Sequence, residues 1–188
     1  QPIPVTVRKN LAVVGAGPAG LAFAVNAAAR GHQVTLFDAL AEIGGQFNIA
    51  RQIPGKVEFS ETLRYFRRQL DIHGVTLRLN QYVSAAQLAD FDEVVLATGI
   101  EPRTPAIPGI DHPSVLSYLD VIRDKKPVGL RVAIIGAGGI GFDTAEYLVQ
   151  PETAAPQDIA DFCEEWGIDR TLTRPGGLRR PVAPHSAR

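Results

Sequence analysis

LAVVGAGPAG, at Leu11–Gly20, runs from an apolar segment through a glycine-rich turn into a helical pattern. The turn has the spacing G-x-G-x-x-G, whose glycines are Gly15, Gly17 and Gly20. The first glycine allows the tight turn, the second lets the backbone approach a pyrophosphate, and the third lets the helix pack closely on the strand. Pro18 and Ala19 lie in the first helical turn, where the positive end of the helix dipole attracts phosphates. This stretch therefore predicts a strand at Leu11–Val14 and a helix at Pro18–Arg30, joined by a turn that binds a dinucleotide.

The same pattern returns in VAIIGAGGIG, at Val132–Gly141. Val132–Ile135 is expected to be a strand and Gly139–Val149 a helix. The residues expected at this second phosphate site are Gly136, Gly138, Gly139, Ile140 and Gly141. One fingerprint indicates a dinucleotide, and two in one chain predict that two dinucleotides meet and exchange electrons.

A second strand pattern, Gln33–Phe37, ends at Asp38, and the loop EIGGQ follows. A carboxylate at the end of this strand can accept hydrogen bonds from both ribose hydroxyls of an adenosine that lacks a 2′-phosphate. In the loop, Gly45 and its neighbouring glycine would let the chain pass close to a pyrophosphate or a flavin ring, and Gln46 offers an amide. A simple turn would use the same residues, but the position after Asp38 favours the flavin interpretation.

The run EVVLATG occupies Glu93–Gly99, between the two fingerprints. Its apolar part predicts a buried strand at Glu93–Ala97. The continuation through Ala97, Thr98 and Gly99 is typical of flavoproteins with two dinucleotides, in which the backbone turns beneath FAD. The alternative is a strand that ends in an ordinary glycine turn.

Alternating strand and helix patterns predict the α/β class, with a doubly wound parallel sheet and the start of a second nucleotide-binding domain. We expect a linker at residues 1–10, the first segment of an FAD-binding domain at 11–127, and an incomplete second nucleotide-binding domain with an insertion and a basic tail at 128–188. The further elements expected are a helix at Val57–His73, a strand at Val75–Leu79, a short helix at Ser117–Arg123 and an amphipathic segment at Ile159–Trp166. The sequence is interpreted as a fragment of a larger protein.

Composition excludes several classes of function. The 188 residues have a net charge of −1, which favours neither nucleic acid nor an anionic membrane surface as a partner. The single cysteine, Cys163, excludes an internal disulfide, a CxxC pair and a thiolate-ligated cluster within this sequence. Leu11–Ala29 has no charge and resembles a signal peptide or membrane helix, but its glycines interrupt the run, so we expect a cytoplasmic protein. No triad or metal-ligand cluster stands out, so no catalytic and no metal-binding residue is predicted.

In this order, the two fingerprints with the GGQ loop and the Ala-Thr-Gly strand between them resemble the pyridine-nucleotide disulfide reductase type of flavoprotein. GGQFNIARQIPGK, at Gly44–Lys56, resembles the flavin modules that follow an old-yellow-enzyme-like barrel, as in trimethylamine dehydrogenase and the enoate reductases. IADFCEEWGID, at Ile159–Asp169, is similar to the bacterial NADPH-dependent 2,4-dienoyl-CoA reductases. The resemblance extends from about Lys9 to Asp169.

This resemblance implies the electron-input end of a multidomain enzyme. NADPH would reduce FAD, and electrons would continue to a 4Fe-4S cluster and FMN in an N-terminal barrel domain of the same parent chain, for reduction of a dienoyl-CoA in fatty acid β-oxidation. It implies that Val83 contacts the adenine of FAD through its backbone. It also implies that FAD lies on the first fingerprint with Asp38, Gly45, Gln46 and Ala97–Gly99, and that NADPH lies on the second. The substrate-reducing residues would belong to the barrel, outside this sequence.

Two alternatives stay open. In the first, the parent is a different barrel-fused flavoprotein, such as an enoate reductase or an amine dehydrogenase. In an amine dehydrogenase, the second site need not bind nicotinamide. Otherwise the chain is a non-catalytic nucleotide-binding module.

Overall fold

The structure, a computed structural model, describes residues 2–149 and 158–179. The chain divides into two compact units, Gln1–Val132 and Ala133–Arg188. Residues 151–156, at the start of the expected insertion, and the part of the basic tail from residue 180 onward lie outside the described residues. Within the described residues, no helix is both long enough and apolar enough to cross a membrane.

The first unit is built on a four-stranded parallel sheet with the spatial order β3–β2–β1–β4. The strands are β1 (Asn10–Val14), β2 (Gln33–Phe37), β3 (Thr76–Arg78) and β4 (Glu93–Leu96). The chain winds from β1 outward to β3 and then returns to pair on the other side of β1. This reversal is the winding of a Rossmann-like sheet, in which ligands bind at the carboxyl ends of the two strands flanking the reversal. The α/β, parallel-sheet prediction is confirmed.

The described residues form five α-helices. The first unit contains α1 (Pro18–Ala29), α2 (Phe47–Ala50) and α3 (Phe59–Ile72), and the second contains α4 (Gly139–Val149) and α5 (Ile159–Glu165). Single turns of 3₁₀ or π type occur at Ala85–Leu88, Leu119–Arg123 and Pro175–Gly177. Helix α1 begins at a proline because the first helical position needs no N–H donor. It ends before Gly31, whose φ of +109° suits a residue without a side chain.

The core of the first unit lies beneath the glycine-rich turn. Val13 of β1, Leu21 of α1 and Leu36 of β2 are completely buried in one cluster, and Leu63 and Leu70 of α3 complete it. Each such aliphatic side chain contributes about 1.5–3 kcal/mol on burial. The turn that follows β1 is therefore held in place by the packed core beneath it.

Two expected strands differ in the structure. Strand β4 was expected to be buried, but Val94 is 41% exposed and Leu96 is 73% exposed. The reason is that β4 pairs only with β1 and forms an edge of the sheet. Val132–Ile135 was expected to be a strand and forms none, because no strand among the described residues pairs with it.

Candidate functional site

The first glycine turn lies at the carboxyl ends of the central strands. The N–H of Gly15 donates to the carbonyl oxygen of Phe37 at 2.8 Å, and the N–H of Ala97 donates to that of Val14 at 2.8 Å. The ends of β1, β2 and β4 therefore converge on this turn, at the point where the strand order reverses.

Close packing explains two of the three fingerprint glycines. A Cβ added to Gly15, whose φ is +108°, would stand 2.2 Å from the carbonyl oxygen of Ala97. A Cβ added to Gly20 would stand 1.8 Å from the carbonyl oxygen of Gly15. These glycines let the start of α1 and the end of β4 rest against the turn. Ala97 and Thr98, expected beneath the cofactor, thus lie directly beside Gly15.

Gly17 has different surroundings. A Cβ added there would meet no atom within 4 Å. The backbone at Gly17 is extended, with φ −76°, so the glycine is not needed for its conformation. In the adjacent first turn of α1, the N–H groups of Ala19 and Gly20 have no intrahelical acceptor. Pro18 has no N–H group. The result is an open cradle lined by backbone donors at the positive end of a helix dipole, which is the arrangement that binds phosphates.

Asp38 joins the end of β2 to this turn. Its Oδ2 accepts from the N–H of Ala16 at 2.6 Å, and its Oδ1 accepts from the N–H of Leu40 at 2.8 Å. A carboxylate has about four acceptor positions, so each oxygen keeps one for a further donor. Two adjacent ribose hydroxyls would satisfy both positions.

The GGQ loop lies against the fingerprint. The N–H of Gly44 donates to the carbonyl oxygen of Ala16 at 2.8 Å, and a Cβ on Gly45 would stand 3.1 Å from the Cα of Gly17. Gln46, whose side chain is exposed, precedes α2. The structure therefore brings Gly17, Asp38 and Gly45 together around one cradle.

Sequence reasoning missed two residues around this loop, one in the first glycine turn and one in α2. Ala16, completely buried, is the link between Asp38 and Gly44 through its N–H and carbonyl groups. Asn48 donates from Nδ2 to the carbonyl oxygen of Ile43 at 3.0 Å, and its buried Oδ1 has no partner in the described structure. No periodicity or spacing distinguishes an alanine or a single asparagine at such positions.

The other expected contacts lie nearby on the same unit. Two hydrogen bonds connect the segment after β3 to the segment after β2. The N–H of Asn80 donates to the carbonyl oxygen of Leu40, and the N–H of Gln81 donates to that of Asp38, both at 2.9 Å. Val83, which is half-buried, lies just beyond these bonds in the chain. Gly99 adopts φ +84° with open space around it.

The second fingerprint reproduces the geometry of the first turn without a sheet. Gly136 has φ +121°, and a Cβ on Gly141 would stand 2.2 Å from its carbonyl oxygen. The N–H of Phe142 donates to the carbonyl oxygen of Gly138 at 3.1 Å, as that of Leu21 does to Gly17 at 2.9 Å. A Cβ added to Gly138 or Gly139 would meet no atom within 4 Å, and Ile140 is exposed. This second cradle belongs to Ala133–Arg188 and stands at the start of α4.

No group of three or more His, Cys, Asp or Glu residues within the described ranges could hold a metal ion. The described site is thus made of backbone donors, glycine cradles and one carboxylate.

A parallel sheet with a glycine turn at its reversal, a carboxylate at the end of β2 and an open second glycine defines the class of Rossmann-like dinucleotide-binding proteins. Residues 9–156 match the family described as "Pyridine nucleotide-disulphide oxidoreductase", and the chain belongs to that family. The chain is thus a flavin- and NAD(P)-dependent oxidoreductase module, and the family implies FAD and NAD(P) as cofactors.

Characterised relatives are oxidoreductases. The chain is 37% identical over 169 residues to an NADH oxidase of Thermoanaerobacter brockii, covering 87% of this chain and 26% of that protein. It is 39% identical over 149 residues to a cinnamate reductase of Clostridium sporogenes, covering 76% of this chain and 21% of that protein. A structure of 2-naphthoyl-CoA reductase with 2-naphthoyl-CoA matches with a TM-score of 0.75 and 36% identity, over 79% of this chain and 23% of the other. The chain therefore spans about a quarter of the length of these relatives.

The residues present fit a dinucleotide at the first fingerprint. The open cradle at Gly17 is the space that a side chain would fill, and Asp38 keeps acceptor capacity beside it. At the second fingerprint the cradle is equally open, but no carboxylate corresponding to Asp38 is found among the described residues of that unit.

Proposed function

We propose that this chain is the FAD- and NADPH-binding electron-input module of a multidomain oxidoreductase, and that its parent is a 2,4-dienoyl-CoA reductase. The observation that carries the proposal is the cradle at Gly17, bordered by Gly45 and by Asp38. We further propose that residues 11–127 are the first FAD-binding segment and 128–188 the incomplete NADPH-binding part, working in the cytoplasm beside a barrel domain of the same parent chain.

In this proposal the protein binds and orients, and the cofactors supply the redox chemistry. When bound, NADPH would supply a hydride for FAD, and an iron–sulfur cluster and FMN of the barrel would supply the route for electrons to the dienoyl-CoA. No side chain of this chain need act as an acid or a base.

At the first site, each proposed role follows from a position. The N–H groups at the start of α1 would hold the pyrophosphate at Gly17, and Asp38 would accept hydrogen bonds from the adenosine ribose. Gly45 and Gln46 would contact the flavin side, Val83 would contact the adenine, and Ala97–Gly99 would contribute the turn on which the cofactor rests. Gly15 and Gly20 act indirectly, because they allow the strand and helix to approach.

At the second site, Gly136, Gly138 and Gly141 form the turn, and Gly139 and Ile140 contribute the first turn of α4. The N–H groups there would hold the NADPH pyrophosphate. The preference for NADPH over NADH rests on the resemblance of Ile159–Asp169 to the dienoyl-CoA reductases.

A matched pair of substitutions in the parent protein tests the two assignments. Gly17→Val fills the first cradle and is expected to abolish flavin absorbance in the purified protein. Folding should persist, since the added side chain meets no protein atom at Cβ. Gly138→Val is the same change at the second fingerprint, and should leave flavin content unchanged while slowing bleaching by NADPH.

Dithionite supplies the control, because it reduces flavin without the nicotinamide site. Unchanged flavin content in Gly17→Val would overturn the first assignment. Equal loss of bleaching by dithionite and NADPH in Gly138→Val would overturn the second.

The cinnamate reductase relative favours one alternative, an enoate reductase as the parent. Turnover assays of the parent with a dienoyl-CoA and with a free α,β-unsaturated acid separate these substrates. Reduction of the free acid alone would replace the dienoyl-CoA proposal while leaving the FAD and NADPH sites in place.

A further inference from the structure

A separate polar pocket lies in the second unit, after α5, outside both glycine cradles. Its volume is about 410 Å³, and it is lined by Asp169, Thr171, Thr173, Arg174 and Arg179. The pocket is open to solvent and its lining is mainly polar. We propose that this pocket is an anion site that binds a phosphate monoester through the guanidinium groups of Arg174 and Arg179.

Asp169 builds the pocket. Its side chain is 3% exposed, and its two oxygens accept from the N–H and hydroxyl of Thr171, the N–H and hydroxyl of Thr173, and the N–H of Arg174. These donors hold the pKa of the Asp169 carboxyl well below its usual range. The carboxylate is therefore satisfied by the loop itself and does not need an arginine.

The arginines consequently keep donors for a ligand. Arg174 donates from Nη1 to the backbone carbonyl oxygen of Arg179 at 2.7 Å, which fixes the orientation of its guanidinium. The guanidinium of Arg179 forms an ion pair with the Asp169 carboxylate, but its Nε is 3.8 Å from Oδ1, too far for a hydrogen bond, so its N–H donors stay available. Two cationic side chains and one anionic side chain line the pocket, which leaves a positive balance. Guanidinium groups bind phosphate oxygens in a bidentate manner, which is the strongest hydrogen-bonding arrangement available here.

The backbone of the loop is unusual at the same place. Leu172, between the two threonines, has φ +55°, a conformation that bulky side chains rarely adopt. Its side chain is exposed and so gains little packing. The conformation turns both flanking threonines toward Asp169, and strained backbone of this kind concentrates at ligand sites. Two backbone hydrogen bonds close the loop: the N–H of Arg179 donates to the carbonyl oxygen of Gly167, and the N–H of Asp169 donates to that of Gly177, both at 2.6 Å.

The proposed function, on which this choice of ligands rests, offers two sources of the phosphate monoester. One is the 2′-phosphate of NADPH and the other is the 3′-phosphate of coenzyme A thioesters, and both are carried on an adenosine ribose. The test uses the 188-residue chain with adenosine 2′,5′-bisphosphate, adenosine 3′,5′-bisphosphate, inorganic phosphate, and AMP as the reference, measured by titration calorimetry. The single tryptophan, Trp166, adjoins the loop and gives a second, fluorescence readout.

Arg179→Gln removes one guanidinium while the backbone bonds of residue 179 remain, and is expected to weaken phosphate binding about tenfold or more. Arg179→Lys keeps the charge, and should retain part of the affinity. Arg170→Gln is the matched control, because Arg170 is exposed in the same loop but does not line the pocket. Trp166 emission in the absence of ligand reports whether each variant keeps the loop.

A bisphosphate that binds at least tenfold more tightly than AMP, with Arg179→Gln weaker and Arg170→Gln unchanged, supports the site, and the tighter bisphosphate identifies the source. Equal affinity for both bisphosphates and for inorganic phosphate, again lost in Arg179→Gln, supports a general phosphate site. Affinity equal to that for AMP, or equal loss in both glutamine variants, overturns the proposal.

Discussion

Gly17 and Gly20 lie three residues apart in one turn, yet a methyl group added to each would meet opposite surroundings. At Gly17 it would enter empty space, and at Gly20 it would stand 1.8 Å from the carbonyl oxygen of Gly15. The glycine spacing of the fingerprint therefore combines two physical requirements. One glycine leaves room for a ligand, and the other leaves room for the protein itself.

Gly20→Ala is accordingly expected to destabilise the first unit, by about 1–3 kcal/mol or more, because the helix must move away from the turn. Gly17→Ala should change stability by less than about 1 kcal/mol, since only helix capping is affected. Chemical denaturation followed by circular dichroism measures both. Equal destabilisation by the two substitutions would contradict the distinction.

Asp38 gives a second prediction at this scale, because its two oxygens serve two backbone donors. Asp38→Asn replaces one acceptor by an NH₂ group, so the N–H of either Ala16 or Leu40 loses its partner. We expect a loss of about 1–3 kcal/mol in the free energy of unfolding, and weaker FAD binding. Asp90→Asn, an exposed carboxylate in the same unit, is the control and should stay within about 0.5 kcal/mol. A neutral effect of Asp38→Asn on both quantities would show that the carboxylate is not needed.

At the scale of elements, the sequence predicts what local chemistry determines. Strand β1, helix α1 and strand β2 were expected within one residue of their ends, because glycine, proline and apolar spacing mark them. The second turn forms for the same reason, since the contact between Gly136 and Gly141 is local.

The features that could not be predicted depend on contacts with neighbouring strands. Val132–Ile135 has the apolar pattern of β1 but no paired strand, and β4 is apolar but lies at an edge. The glycines and the carboxylate of the candidate site could be predicted from the sequence. The contributions of Ala16 and Asn48 could not, because they depend on contacts with neighbouring segments.

The loop around Asp169 gives a prediction of pH dependence. Its hydrogen bonds lower the pKa of the carboxyl in the folded loop below the ordinary value of about 3.9. A depressed pKa adds stability that is fully present above the unfolded value and is lost as the pH falls through the folded value. The loop should therefore keep its structure at neutral pH and lose it only in acid, which Trp166 emission would report.

Asp169→Asn should shift Trp166 emission at neutral pH toward the acid form and remove the acid transition. Asp111→Asn, an exposed residue of the first unit, should leave the transition in place. An unchanged transition in Asp169→Asn would assign the acid sensitivity to another group.

For the whole molecule, burial is unequal between the two units. Every buried hydrophobic side chain of the described residues belongs to Gln1–Val132, and the described residues beyond it bury only Thr144 and Asp169. Apolar burial is the main favourable term in folding, so the first unit holds nearly all of the stability that these residues supply. The second unit is held by local bonds, such as the turn at Gly136 and the loop at Asp169.

Amide hydrogen exchange followed by mass spectrometry tests this asymmetry on the intact chain. Amides of β1, β2 and α1 are expected to exchange last and together, because they open only with global unfolding of the sheet. Amides of Val132–Ile135 and α4 should exchange earlier, since the described residues there lack a buried apolar core. Leu21→Ala provides the matched perturbation: it removes a completely buried side chain and should cost about 2–5 kcal/mol. That loss should accelerate exchange throughout the sheet while leaving α4 unchanged. Equal acceleration of α4 would mean that the two units unfold as one, and that the stability of the second depends on the core of the first.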